Sequence, residues 1–248
     1  MGNEHGQYAA FDPNSTRRLR CCRDALDRKA EEAATRANQH FEAWRSQNNI
    51  ALIGEPTLVQ DTSAIWREIK GYEREVIPLV GRLTDLIITA RPMSGSSPSL
   101  ALETAVFDTG RPVLMVSEHS STDLFLRPII AWNGSKEAAR ATGCAIPLLR
   151  DREVRDPVEI FTAVETKHQT NPGELLRYLN WHGIVARQIA IDDPSRPIGE
   201  NLLAHAKLKQ ASLIVMGAYT HAHYRQFILG GVTHYIMQHA SVPVLMVH

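Results

Sequence analysis

Two short apolar segments occur twice in this chain, once in each half. The segment at 85–90 (DLIITA) resembles the one at 212–217 (SLIVMG), and the segment at 110–116 (GRPVLMV) resembles the one at 240–247 (ASVPVLMV). Continuous apolar runs of this length, without alternation, are typical of strands that are buried on both faces of a parallel sheet. The repeat therefore predicts two related α/β halves.

The second half has a full set of alternating strands and helices. We predict strands at 128–132, 158–164, 184–191, 213–216 and 242–247. We predict the helices between them at 136–149, 172–181, 197–209 and 225–239. Ser135 is a typical cap before the first of these helices, and Gly183 is a typical residue just past the end of the second. This alternation predicts a complete, doubly wound domain at 127–248 with a parallel five-stranded sheet.

The first half, at 1–120, lacks part of this pattern. Apolar side chains at three- and four-residue steps predict one long helix over 19–44, and a strand follows at 50–53. Aligned with the second half, this segment leaves no counterpart for the opening strand, the first helix and the second strand. We therefore expect an incomplete first domain, in which the strand at 50–53 either pairs beside 86–90 or belongs to a half that depends on a partner chain.

The composition limits the classes of partner. The chain has 27 basic and 27 acidic residues, so its formal net charge gives no general attraction for nucleic acid. It has no apolar run long enough to span a membrane, and its first 15 residues lack the apolar core of a signal peptide, so we expect a cytoplasmic protein. Cys21, Cys22 and Cys144 form neither a disulfide framework nor a C-x-x-C pair, and we interpret them as reduced thiols with packing roles.

Three features resemble a known family: the stretch IIAWNGSKEAAR at 129–140, the carboxyl-terminal segment at 213–248 and the internal duplication. Together they resemble the universal stress protein family in its tandem, two-domain bacterial form, with an N-terminally shortened first domain. The resemblance implies a Rossmann-like sheet of strand order 3-2-1-4-5 and a cytoplasmic role in stress survival, linked to adenine nucleotides. It also implies pairing of the terminal strands, Val113–Val116 and Val244–Val247, in a homodimer or in an intrachain pseudo-dimer.

The resemblance also indicates a binding site. In a doubly wound sheet, ligands bind at the carboxyl ends of the strands where the strand order reverses, here between the first and fourth strands of the second half. In ATP-binding relatives the loop after the fourth strand reads Gly, two residues, Gly, nine residues, Gly, then Ser or Thr, and an aspartate ends the first strand. The candidate nucleotide-binding residues here are Asn133, Val164, Gly217, Thr220, Gly230 and Gly231.

Three of these candidates depart from the pattern of the ATP-binding relatives. Thr220 replaces a glycine, which costs about 1–3 kcal/mol if that position needs a positive φ. Gly231 replaces the hydroxyl residue and loses about 0.5–1.5 kcal/mol of net hydrogen bonding to phosphate, or about 1.5–3 kcal/mol if that hydrogen bond is charge-assisted. Asn133 replaces the aspartate, so it offers no charged ligand for a metal ion. We expect weakened or altered binding of ATP or another adenine nucleotide.

A structural alternative exists for the glycines that remain. Gly217 can end a strand in a tight turn, and the pair Gly230–Gly231 can allow close helix packing. The sequence contains neither G-x-x-x-x-G-K-[ST] nor G-x-G-x-x-G, which argues against a P-loop ATPase or a dinucleotide dehydrogenase.

Two functions therefore stay open. The favoured one is a non-enzymatic regulatory or binding module that acts through dimerisation. The alternative is an ATP-binding protein with slow nucleotide hydrolysis, which needs a carboxylate to hold Mg²⁺, and Asn133 removes the obvious one. We predict no catalytic residue. We also predict no metal site, because no cysteine or carboxylate near the loop completes a ligand set with the nearby histidines, which are His221, His223, His234 and His239.

Overall fold

The computed structural model describes residues 13–54, 61–91, 99–117, 123–151, 156–163, 171–191, 193, 195–218 and 231–248. The chain forms two compact units, one ending at Lys70 and the other beginning at Gly71. Within these ranges, no helix has both the length and the apolar character that a membrane span requires. These compact units differ from the domains at 1–120 and 127–248, which were predicted from the sequence repeat. The predicted domain division stays a prediction.

The first unit contains one long helix and a small sheet. The helix α1 spans Pro13–Gln47, and the strands β1 (Ala51–Leu52) and β2 (Ser63–Ala64) pair in parallel. None of the α1 side chains that the structure describes is buried. The suggested pairing of 50–53 beside 86–90 is wrong, because β1 takes β2 as its partner in a separate two-stranded sheet.

The second unit contains the remaining elements of the described chain. Its strands are β3 (Ile87–Ala90), β4 (Val113–Val116), β5 (Pro128–Ala131), β6 (Val158–Ala163), β7 (Ala186–Ile191), β8 (Leu213–Gly217) and β9 (Val244–Val247). Its helices are α2 (Glu73–Gly81), α3 (Leu100–Asp108), α4 (Lys136–Arg150), α5 (Pro172–Trp181), α6 (Ile198–Leu208) and α7 (Gly231–His239). Each predicted strand and helix of the second half is present, with bounds that differ by a few residues; residues 225–230 of the last predicted helix lie outside the described ranges.

The strands of the second unit form one seven-stranded sheet in the order β3-β4-β9-β8-β5-β6-β7. The five strands of the second half therefore have the expected order 3-2-1-4-5, in an α/β fold of the Rossmann-like type. All neighbours pair in parallel except β4 and β9, which run antiparallel with Leu114 opposite Leu245. The two terminal strands whose pairing the resemblance implies thus pair within this chain, and we call the β4–β9 pair the seam of the sheet.

The two faces of the sheet support two apolar cores, because successive strand residues point to opposite sides. On β8, Ile214 belongs to one core and Val215 to the other, and both are fully buried. Burial of each such side chain stabilises the fold by roughly 1.5–3 kcal/mol. Helices on both faces complete the layers, and the serine caps fix two of their starts: the Oγ atoms of Ser99 and Ser135 accept the N–H groups of Leu102 and Ala138.

A strand–helix–strand unit occurs on each side of the seam. On one side β3, α3 and β4 follow each other, and on the other side β8, α7 and β9 do, each with its two strands adjacent and parallel. This arrangement supports the proposed duplication, which stays a prediction. Of the strands that the structure describes, β3 has a neighbour on one side only and forms an edge of the sheet.

Candidate functional site

The crevice where the strand order reverses lies between β5 and β8. These strands are parallel neighbours, with Ala131 opposite Met216, so Asn133 after β5 and Gly217 at the end of β8 lie at the same carboxyl edge of the sheet. The structure also describes Gly231, the first residue of α7. The other three candidates, Val164, Thr220 and Gly230, lie outside the described residues.

Gly217 lies against the first turn of α4. A Cβ atom at this position would come within 2.5 Å of the backbone nitrogen of Ala138, and within 2.7 and 2.8 Å of the carbonyl carbon and Cβ of Glu137. Real Cβ atoms do not approach backbone this closely, and the helix backbone cannot rotate away as a side chain could. Packing alone therefore requires glycine at 217. This structural reason differs from the tight turn that the sequence suggested for this residue.

Asn133 takes part in the start of α4. Its Oδ1 accepts the backbone N–H of Ser135 at 3.1 Å, which forms a turn of the kind that asparagine side chains often close. Gly134 between them has φ 75°, a conformation that favours glycine. The Asn133 side chain is exposed, and its oxygen is already engaged in this turn.

Gly231 has a different environment from Gly217. A Cβ atom built on it meets nothing within 4 Å, so packing does not exclude a side chain there. Because α7 connects two parallel strands, its first turn lies at the same carboxyl edge, where the initial N–H groups of a helix attract anions. The position of the missing hydroxyl is therefore sterically open.

Glu137, in the first turn of α4, is not among the residues predicted for this site. The residue is 4% exposed, and its Oε2 is buried without a hydrogen-bond partner. Its Oε1 lies 3.6 Å from the Nζ of Lys136. Glu137 follows Asn133 by four residues, and its backbone and Cβ lie against Gly217, but its carboxylate is buried.

The histidines form no metal site in the part of the chain that the structure describes. The ring of His239 stacks on Tyr235, and its Nδ1 lies 2.9 Å from the Tyr235 carbonyl oxygen. The ring of His234 is partly buried, whereas His221 and His223 lie outside the described residues. Cys144 is exposed, so the packing role expected for it is wrong.

A charged cluster near the amino ends of the strands was also missed. Glu159 on β6 is 5% exposed, and its Oε2 lies 2.5 Å from Nε2 of His205 on α6. Its Oε1 accepts hydrogen bonds from the guanidinium of Arg187 on β7, one of them at 3.2 Å. The sequence signal was present, because Glu159 is the one charged residue in the strand VEIFTA.

The neighbours of Glu159 set the charge state of its carboxyl group. Burial, the largest influence, raises its pKa, but the hydrogen bonds and positive charges of His205 and Arg187 together hold the pKa below its ordinary value. A cavity of about 250 Å³ adjoins the cluster and also contains Arg127, Asp156 and Lys209 in its wall. This cavity lies at the amino edge of the sheet, away from the crevice that carries Asn133 and Gly217.

Comparison with known proteins agrees with this architecture. The sequence profile of the universal stress protein family matches residues 185–248, which include β7, β8 and β9. No curated protein sequence matches the chain significantly.

Among solved structures, a universal stress protein from Archaeoglobus fulgidus is 20% identical with a TM-score of 0.61, covering 90% of this chain and 79% of its own. A functionally unknown protein from Pseudomonas aeruginosa is 12% identical with a TM-score of 0.53, covering 86% of this chain and 76% of its own. A putative universal stress protein from Pseudomonas aeruginosa is 13% identical with a TM-score of 0.50, covering 75% and 71%. At these identities the likeness shows the fold. Together these comparisons agree with the resemblance seen in the sequence: residues 185–248 match the universal stress protein family, and the chain has the fold of a solved universal stress protein.

Proposed function

We propose that this protein is a non-enzymatic regulatory or binding module of the cytoplasmic stress response, which acts through dimerisation and binds adenine nucleotides weakly or in an altered way. The observation that carries the proposal is the contrast between Gly217 and Gly231. Packing against α4 accounts for Gly217 without any ligand. At Gly231, where relatives that bind ATP carry a hydroxyl, there is room for a side chain and none is present.

The energetic consequence follows from the lost hydroxyl. A hydrogen bond to a charged phosphate contributes about 1.5–3 kcal/mol, which corresponds to roughly ten- to hundredfold in affinity. The first N–H groups of α7 and the exposed amide of Asn133 remain for a nucleotide, so we propose weakened rather than abolished binding.

The hydrolytic alternative has less support. It requires a carboxylate that can hold Mg²⁺ beside the phosphates. Along the chain, the nearest carboxylate to Asn133 in the helix that follows is Glu137, and this side chain is buried against Gly217. The amide of Asn133 cannot substitute for it as an anionic ligand. We therefore favour a role without catalysis.

The test is calorimetric titration of ATP, with and without Mg²⁺, into the wild-type protein and Gly231→Ser. We expect weak binding by the wild type and an increase of about tenfold or more in the variant, because serine restores the hydroxyl at an open position. Gly231→Ala is the matched control and should show no gain. Micromolar binding by the wild type, or steady phosphate release from ATP, would overturn the proposal.

A glycine replacement at 217 is unsuitable as the binding control. Because a Cβ atom there would overlap the backbone of Glu137 and Ala138, loss of binding would report damage to the fold rather than loss of a ligand contact. Asn133→Asp is a better second variant. It keeps the oxygen that accepts the Ser135 N–H and adds the missing charge, so we expect it to increase the Mg²⁺ dependence of binding.

A further inference from the structure

The two edges of the seven-stranded sheet differ in how they are protected. Edge strands expose unpaired backbone groups, and charges or prolines within them discourage pairing with other chains. The edge strand β7 carries the charged Arg187 and the exposed Gln188. The edge strand β3, with sequence IITA, has neither a charge nor a proline. Among the described residues, no strand pairs with β3 on the side away from β4.

The backbone of β3 presents its hydrogen-bonding groups in a defined pattern. The N–H groups of Ile87 and Arg91 donate to the carbonyl oxygens of Pro112 and Val116, at 3.0 and 2.7 Å. Because alternate residues of a strand direct their backbone groups to opposite sides, those of Ile88 point away from β4. The same alternation gives Leu86 and Ala90 the outward direction.

The middle of this edge carries an exposed apolar side chain. Ile88 in β3 is 64% exposed. Contact with another protein surface would remove this side chain from water, at roughly 25 cal/mol per Å² of buried apolar area. An unprotected edge strand with an exposed large apolar side chain is typical of an interaction surface.

We propose that a second copy of this chain binds at β3, by antiparallel pairing of the two β3 strands about a twofold axis at Ile88. The strands β4 and β9 are already paired with each other inside the chain, so the partner requires a different edge. A twofold contact uses the same strand from both copies and therefore closes, leaving the charged β7 edges outside. The pairing gives one continuous sheet through both copies.

The register follows from the outward backbone groups. With Ile88 opposite Ile88 of the second copy, Leu86 lies opposite Ala90, and each of these pairs exchanges hydrogen bonds. The same register places Asp85 opposite Arg91 of the second copy, twice by symmetry. Opposite charges on facing strands stabilise a pair, whereas like charges destabilise it. Charge and hydrogen bonding thus select the same arrangement.

This inference specifies the dimerisation in the proposed function and does not depend on its nucleotide site. The ATP titration can therefore fail while the assembly stands, and the assembly can fail while the titration succeeds.

The register is tested by cross-linking the full chain. In a background with Cys21→Ser, Cys22→Ser and Cys144→Ser, we introduce Ile88→Cys and oxidise with diamide. Hydrogen-bonded antiparallel pairs have Cα atoms about 5.5 Å apart, which lies within the range of about 4.4–6.8 Å that a disulfide spans. We expect a covalent dimer on a non-reducing gel. Thr89→Cys, which the register places opposite Ile87, and Gln188→Cys on the β7 edge are the controls and should remain largely monomeric.

The monomer–dimer equilibrium is tested by analytical sedimentation of the wild type, Ile88→Lys and Gln188→Lys. Circular dichroism confirms that each protein is folded. We expect the wild type and Gln188→Lys to be dimeric. The Ile88→Lys dimer should dissociate at a protein concentration at least tenfold higher than that at which the wild-type dimer dissociates. A wild type that is monomeric at all concentrations would overturn the proposal. So would a folded Ile88→Lys that dimerises as well as the wild type, or equal cross-linking at the three cysteine positions.

Discussion

At the scale of single residues, the absence of one methyl group determines how closely β8 approaches α4. Gly217 lies where a Cβ atom would meet the helix backbone at 2.5 Å, whereas Gly231 has open space around it. The two glycines look alike in the sequence. Only the distances across the crevice distinguish a glycine required by packing from one that is not.

We predict that Gly217→Ala destabilises the protein by roughly 1–3 kcal/mol, because the added atom forces the strand and helix apart. Gly231→Ala at the first position of α7 should be neutral or stabilising by up to about 1 kcal/mol. Thermal unfolding of both variants measures the difference. Equal melting temperatures would show that α4 can move away from β8 without cost.

A second prediction concerns the buried carboxylate of Glu159. Glu159→Gln should reduce the free energy of unfolding near pH 7 by roughly 1–3 kcal/mol, because Arg187 and His205 lose their anionic partner. This loss of stability is smaller than the loss expected on breaking a fully buried ion pair, because the Arg187 side chain is 54% exposed to solvent.

The pH dependence of stability gives the sign of this contribution. Because folding lowers the pKa of Glu159, its stabilisation is present above the ordinary value of 4.5 and is lost as the pH falls through the folded-state pKa. Urea unfolding from about pH 7 to about pH 3 should therefore show a smaller loss of stability in Glu159→Gln than in the wild type. Parallel curves would contradict this assignment.

At the scale of helices and strands, most of the second unit could be predicted from the sequence. The strand Val113–Val116 and the helix Pro172–Trp181 have the predicted bounds, because a short apolar run and a proline near the helix start are local signals. The pairing of β1 with β2 could not be predicted in this way. Strand pairing depends on which edge is available in space, and a two-residue strand carries almost no pattern.

The long helix α1 should exchange its amide hydrogens faster than the central strands. None of its described side chains is buried, whereas the side chains of the first four residues of β8 are. Helical stability in proteins comes mainly from packing of an apolar face, so α1 opens at lower cost than β8. Hydrogen–deuterium exchange with mass spectrometry measures both segments at once. Equal protection of α1 and β8 would indicate that α1 packs against another chain in solution.

At the scale of the whole molecule, the second unit contains the complete seven-stranded sheet and both of its apolar cores. We predict that a fragment of residues 71–248 folds by itself, with a cooperative thermal transition and a melting temperature close to that of the full chain. Circular dichroism and calorimetry of the two proteins provide the measurement. A fragment that binds hydrophobic dyes and melts without cooperativity would show that the first 70 residues are required for the core.

The antiparallel seam also bears on how the protein is made. The strand β9 lies inside the sheet, between β4 and β8, yet it comes last in the sequence among the described strands. Among the described strands, only β9 pairs with both the β3–β4 piece and the β8-β5-β6-β7 piece of the sheet, so no strand pairing links the two pieces until residues 244–247 have been synthesised. Until then, the seam edges of both pieces are open to other chains in the cell. We therefore expect this protein to depend most on chaperones that hold nascent chains in the interval before β9 joins the sheet.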